Sequence, residues 1–273
     1  MRDAIGIFDS GIGGLTVLRE ILKELPDEHT IYLGDTARVP YGTRSPETVV
    51  RYSLQAARFL AEKQVKLLVV ACHTSSAVGL AALRAAYPEE RLRVMGVIEP
   101  SVREAMRITR TRRVGIIGTD ATIRSQAYAH ALKQLDPAVQ VFTKACPLFV
   151  PLAEEGWEDS EVAALTADRY LRGFRELGID TLILGCTHYP MLRETIAKVL
   201  GPDIRLVDAG EAAALAVRDR LKQEGRLRLA AAGSGARSDA EHLFYVTDAH
   251  ERFVKVGSRF LGRDLAGVIT VEL

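Results

Sequence analysis

The chain has 273 residues, enough for two domains of ordinary size that each bury a core. Lys and Arg number 36 against 35 Asp and Glu, so the net charge is +1, and no basic field suggests a nucleic acid or anionic membrane partner. Apolar runs of about six residues fall far short of the roughly 20 that a membrane-spanning helix needs.

Residues 4–8 read as a short apolar strand with no signal-peptide pattern before it. The turn Asp9-Ser10-Gly11-Ile12-Gly13-Gly14 follows, then a helix over 15–25 with Leu15, Leu18, Leu22 and Leu25 on one face, stopped by Pro26. Strand, glycine loop and helix in this order offer backbone N–H groups to an anion, although the glycine spacing departs from the dinucleotide fingerprint. Asp9 is a carboxylate beside that loop and needs a cationic partner, which a substrate ammonium would provide.

Residues 29–34 predict a second strand and 35–43 a loop punctuated by Pro40 and Gly42. Ser45 as N-cap and Pro46 at the first helical position open a long helix, its apolar stripe read as Val50, Leu54, Ala57 and Leu60. Residues 66–71 form a near-continuous apolar run, as expected of a parallel strand covered on both faces. A helix over 77–87 and a strand over 93–98 come next.

The pattern then restarts. Val114-Gly115-Ile116-Ile117-Gly118 followed by Thr119 resembles the opening strand followed by Asp9-Ser10, and a helix over 123–135 again comes after it. A strand over 139–145, a helix over 160–177 capped by Ser160, and a strand over 181–185 lead to Cys186. The spacing between the two openings nearly matches that between Cys72 and Cys186, which points to an internal duplication. A strand over 204–208, a helix over 211–224, a polar Gly/Ala/Ser stretch over 230–239, a strand over 243–247 and a last helix complete the chain.

These elements predict an α/β protein of two similar α/β domains with central, mainly parallel sheets, pseudo-symmetric, with the active site in the cleft between them. Residues 1–97 plus 207–273 are expected to form the first domain, on the Cys72 side, and residues 98–206 the second, on the Cys186 side.

Both cysteines stand at carboxyl ends of central strands, where ligands bind in doubly wound sheets. Each has hydroxyl and imidazole neighbours, in Ala71-Cys72-His73-Thr74-Ser75 and Gly185-Cys186-Thr187-His188. A thiol titrates near 8.5, and a nearby helix N-terminus or imidazolium lowers that value (about 1.4 kcal/mol per pH unit). One thiolate removing a proton from one face of a carbon while the opposite thiol protonates the other face inverts the stereocentre. Cys146 reads as a small buried hydrophobe. An odd cysteine count argues for free thiols rather than a disulfide framework. Zinc on Cys72, His73, Cys186 and His188 is disfavoured, because adjacent Cys-His is a poor chelate.

The chain resembles the glutamate racemases of the cofactor-independent aspartate/glutamate racemase superfamily over essentially its whole length. The resemblance lies in IGIFDSGIGGLTVL from Ile5, YLGDTARVPYG from Tyr32, ACHTSSA from Ala71, GVIEP from Gly96, CPLFVPLAEEG from Cys146 and LGCTHYP from Leu184, in the family's order. It implies that Cys72 and Cys186 transfer protons. It implies substrate contacts from Asp9, Ser10, Tyr41, Gly42, His73, Thr74, Thr187 and His188, with Glu154 acting beside Asp9 and His188 on the thiols. It also implies free glutamate as substrate, no cofactor, no metal, no nucleic acid or membrane partner, a cytoplasmic location and supply of D-glutamate for peptidoglycan, and it leaves a homodimer open. His73 stands where the family usually has asparagine; a neutral imidazole offers one donor and one acceptor but titrates near neutrality, which would add pH dependence. The same chemistry on aspartate or another small amino acid, and a non-catalytic anion- or amino-acid-binding protein, are the alternatives.

Overall fold

A computed structural model describes residues 3–228 and 240–273; the polar stretch predicted over 230–239 lies outside the described residues. Four strands come first: β1 (Ile5–Asp9), β2 (Thr30–Gly34), β3 (Leu67–Val70) and β4 (Arg93–Gly96). Four more follow, β5 (Arg113–Gly118), β6 (Gln140–Ala145), β7 (Thr181–Gly185) and β8 (Arg205–Asp208), and then β9 (His242–Val246) and β10 (Val268–Thr270). They build two sheets, in the orders β10-β9-β2-β1-β3-β4 and β6-β5-β7-β8. Every neighbouring pair is parallel.

The second sheet repeats the order β2-β1-β3-β4 of the first, with β5 standing for β1 and β7 for β3. That is the pseudo-symmetry expected from the repeated motif. The central strands β1, β3 and β7 are buried along their full length, which is why they read as unbroken apolar runs. Cys72 and Cys186 follow β3 and β7, so the duplicated topology carries both thiols to corresponding strand ends.

The first sheet draws on residues from both ends of the chain, since β9 pairs with β2 and β10 with β9. A return to it at residue 207 would cut through β8, because Thr181–Leu184 pairs in register with Arg205–Asp208. The chain leaves the second sheet after Asp208, whose carboxylate caps the helix Ala209–Gln223 by accepting from the backbone N–H groups of Gly210 (2.7 Å) and Glu211 (3.4 Å). That helix packs on the first-sheet helix Leu15–Glu24 and on Ile98–Ile108, joining the two halves.

Local differences from the sequence reading have physical causes. The helix Pro46–Glu62 starts as expected, with Ser45 accepting from the Thr48 N–H, but its buried face is Val49, Ser53, Ala56, Ala57 and Leu60. Ser53 tolerates burial because its hydroxyl donates to the Val49 carbonyl (2.7 Å) and bonds Ser75 Oγ (3.1 Å). The predicted helix over 77–87 begins earlier, at His73, directly after Cys72, and is divided at Gly79 into His73–Val78 and Leu80–Ala86. The predicted helix over 123–135 is likewise two, Asp120–Arg124 and Ala127–Leu135, separated at Gln126, which has a left-handed backbone (φ 56°). The helices Ile98–Ile108, Phe149–Glu155 and Arg193–Leu200 and the edge strand β10 were not foreseen.

Candidate active site

On the first-sheet side, β1 ends at Asp9, and the helix Leu15–Glu24 begins after the glycine turn. Asp9 is fully buried; its Oδ2 accepts from the Gly11 N–H at 2.9 Å, while Oδ1 has no hydrogen-bond partner. Burial raises its carboxyl above the usual range, against the opposing pull of His188. Gly14 lets the turn close over it, since a Cβ there would lie 2.4 Å from the Asp9 Cβ.

Cys72 caps the helix His73–Val78, its Sγ accepting from the Ser75 N–H (3.5 Å) and donating to Ser10 Oγ (3.5 Å). Burial first, and the Asp9 carboxylate second, push its thiol up to about 11. Cys72 is therefore held as a neutral thiol at neutral pH. Tyr41 is buried beside it with its hydroxyl donating to Asp35, so that hydroxyl is already committed within the first half. The following Gly42 packs against Thr119, where a Cβ would come within 2.8 Å of the Thr119 Cβ.

On the second-sheet side, the Cys186 Sγ lies 3.9 Å from His188 Nδ1, and His188 Nε2 lies 2.9 Å from Glu154 Oε1. Burial opposes charge on His188, but its bonds to Cys186 and Glu154 outweigh burial and lift the imidazole to about 10. His188 is thus an imidazolium at neutral pH. Glu154 is held down to about 2: burial works against its charge, and His188 and Arg252 more than compensate. Arg252, from the helix His250–Leu261, reaches Glu154 Oε2 at 2.9 Å and so ties the first half of the molecule to this chain of charges.

The two sides meet. Thr16 donates to the Thr187 carbonyl at 2.8 Å, and Gly13 leaves no room for a side chain, its notional Cβ lying 2.3 Å from Thr187 Oγ1 and 2.5 Å from His188 Nδ1. Asp9 lies within electrostatic reach of both His188 and Cys72, linking the surroundings of the two thiols. Thr74 Oγ1 bonds Thr119 Oγ1 (3.0 Å) and Thr122 Oγ1 (3.3 Å) across the halves, and His73 Nδ1 bonds the Tyr128 hydroxyl at 2.8 Å. Cys72 and Cys186 are only 5 % and 6 % exposed, so both thiols are shut off from solvent in this conformation. The surface hollow lined by Pro46, Val50, Leu54 and Tyr87 lies on the outer face and contains none of these groups.

Burial pushes His73 down to about 3, so the pH dependence expected from its imidazole does not arise at neutrality. Cys146 is a buried thiol bonded weakly to the Lys144 carbonyl (3.7 Å), in keeping with a packing role. Among the described residues, no group of three or more His, Cys, Asp or Glu side chains is arranged to hold a metal ion. Thr119, Thr122, Tyr128 and Arg252 were missed. Thr119 had a signal, since the repeated motif places it where Ser10 stands in the first half; the others had none in local spacing.

Fold and comparison with known proteins together place the chain among the amino-acid racemases, which are isomerases. It belongs to the Asp/Glu/hydantoin racemase family, whose model matches residues 5–217, and within that family to the glutamate racemases. A glutamate racemase of Geobacter metallireducens is 55% identical over 270 residues, covering 99% of this chain and 97% of the relative. The crystal structure of a Bacillus anthracis glutamate racemase superposes with a TM-score of 0.92 at 38% identity, covering 99% of this chain and 98% of the other. That of Francisella tularensis glutamate racemase in complex with D-glutamate gives 0.90 at 36% identity, with the same coverage.

Proposed function

We propose that the protein interconverts L- and D-glutamate without a cofactor, with Cys72 and Cys186 as the two proton-transferring groups. The reading rests on one observation above all: two buried strand-end thiols have opposite electrostatic surroundings, Cys72 beside the Asp9 carboxylate and Cys186 beside the His188 imidazolium. The imidazolium is the cation that a Cys186 thiolate needs beside it, and Cys72 carries a proton to give. The Cα–H bond breaks toward one sulfur, its electron pair remains on carbon, and the other sulfur's proton forms a new C–H bond on the opposite face. Afterwards the first sulfur is a thiol and the second a thiolate, ready for the reverse reaction.

The unpartnered Asp9 Oδ1 suits the substrate ammonium, and the hydroxyls of Ser10, Thr74 and Thr187 suit its carboxylates. D-Glutamate in the Francisella tularensis relative supports glutamate as the ligand. With both thiols shut off from solvent, water is kept from the carbanion, and the halves must part for exchange of substrate and product. The product D-glutamate would serve peptidoglycan synthesis in the cytoplasm.

The test follows α-proton exchange of L- and D-glutamate in deuterated solvent with purified, metal-free protein. Deuterium should enter both enantiomers as they interconvert. Cys72→Ala and Cys186→Ala should each abolish turnover with the fold intact by circular dichroism; full activity in either variant overturns the scheme.

A further inference from the structure

The turn that follows Asp9 is tied to the neighbouring strand by a side chain with no part in the chemistry so far. Tyr32 lies in the middle of β2, beside β1, and is fully buried. Its hydroxyl reaches the Gly11 carbonyl at 2.8 Å. A carbonyl can only accept, so the phenol gives its one hydrogen to Gly11. Burial pushes the phenol far above its ordinary value, and the nearby Asp9 and Cys72 push the same way, so at neutral pH it keeps that hydrogen.

Gly11 is thereby held on both sides of its Cα. Its N–H donates to Asp9 Oδ2 at 2.9 Å, and its C=O accepts from Tyr32. Glycine has the widest choice of backbone angles, and this turn has three, Gly11, Gly13 and Gly14. The helix Leu15–Glu24 has no side-chain N-cap to pin its start, because Gly14 stands at that place. A tie from a strand supplies the restraint that the turn's own residues lack. The fit is close: a Cβ on Gly14 would come within 2.9 Å of the Tyr32 hydroxyl. One on Gly34, two residues along β2, would come within 2.5 Å of the Gly11 oxygen. With Oδ2 taken by Gly11, the Asp9 carboxylate is turned so that Oδ1 stays buried and without a partner.

We propose that Tyr32 is a positioning residue: by fixing the Gly11 carbonyl it orients the Asp9 carboxylate, so that Oδ1 is held ready for the substrate's ammonium group. This deepens the glutamate reading and rests on it. Without the phenol, Gly11 can rotate, its N–H can leave Oδ2, and the carboxylate loses the bond that sets its plane. The same turn carries Gly13 against Thr187 and His188, so its shape is felt on the Cys186 side as well.

The test is a cycle of variants of the full chain, read by calorimetric binding of racemic glutamate, a mixture whose composition turnover does not change. Tyr32→Phe keeps the ring that packs on Phe253, with centroids 5.9 Å apart, and removes the hydroxyl. It should raise Kd about tenfold, the size of one charge-assisted hydrogen bond, and in steady-state kinetics KM should change more than kcat. In an Asp9→Asn background the oriented carboxylate is already gone, so the same change should alter Kd less than about twofold. An unchanged Kd in Tyr32→Phe, or equal effects in both backgrounds, makes Tyr32 merely structural and overturns the proposal. If circular dichroism shows Tyr32→Phe unfolded, Gly34→Ala presses a methyl on the same carbonyl with the phenol in place. It should give a like rise in Kd that vanishes on Asp9→Asn, and no rise overturns the proposal. Wild-type protein that neither binds glutamate nor exchanges its α-proton brings down the function reading. A flat cycle in protein that racemises glutamate brings down the role of Tyr32 alone.

Discussion

Replacing Glu154 with glutamine probes the charge chain behind Cys186. In the native protein His188 Nε2 lies 2.9 Å from Glu154 Oε1, and its imidazole titrates near 10 rather than at its ordinary 6.5. A hydrogen bond to a charged group contributes about 1.5–3 kcal/mol, and about 1.4 kcal/mol is tenfold in proton affinity. Losing the carboxylate should therefore weaken proton binding by His188 roughly ten- to hundredfold, moving its midpoint to roughly 8–9. The sign follows from linkage. A histidine whose folded value is raised contributes stability that is complete below about 6.5 and lost as pH rises through about 10. In Glu154→Gln that loss should be complete a pH unit or more earlier. The assay is a pH titration of the His188 Cε1 resonance in 13C-histidine-labelled protein, assigned with His188→Asn. A midpoint unmoved by Glu154→Gln, or a wild-type midpoint near 6.5, would refute the reasoning.

Gly13→Ala drives a methyl to 2.3 Å from Thr187 Oγ1 and 2.5 Å from His188 Nδ1, so turnover should fall on the order of a hundredfold in a folded protein, as read by steady-state kinetics beside circular dichroism. Asp9→Asn neutralises the buried carboxylate whose Oδ1 has no partner; KM for glutamate should rise about tenfold or more, and an unchanged KM would remove Asp9 from ammonium binding. Lys66 and Glu28 form a buried pair at 2.6 Å, with side chains 4% and 2% exposed. Lys66→Met strands the carboxylate and should cost about 3 kcal/mol in urea unfolding, part of which Lys66→Met/Glu28→Leu should restore; a double variant no more stable than the single one would contradict this.

What could be read from the sequence was whatever depended on local order. Buried parallel strands are continuous apolar runs, so β1, β3 and β7 stood out, and with them the positions of Asp9, Cys72 and Cys186 at strand ends. The helices Ile98–Ile108 and Phe149–Glu155 were hidden by Pro100 and Pro151, which look like breakers. Each falls in a first turn, where a proline N–H would have had no intrahelical partner. The stripe on Pro46–Glu62 was misread because a serine lies on its buried face. The contacts His73 to Tyr128 and Glu154 to Arg252 join residues 55 and 98 positions apart, and no local pattern encodes such meetings.

The interleaving of the two sheets bears on how the protein is made. β2 has β9 as its outer neighbour, so a growing chain must extend by roughly 200 residues before that flank is covered. At about 5–20 residues per second, the wait is roughly 10–40 seconds. The second sheet, contiguous in the chain, can finish within that interval, while the flank of β2 stands open as a template for stray strands. Misassembly on the ribosome should therefore begin at β2, and a chaperone that shelters it would raise the yield of folded protein without touching the finished molecule.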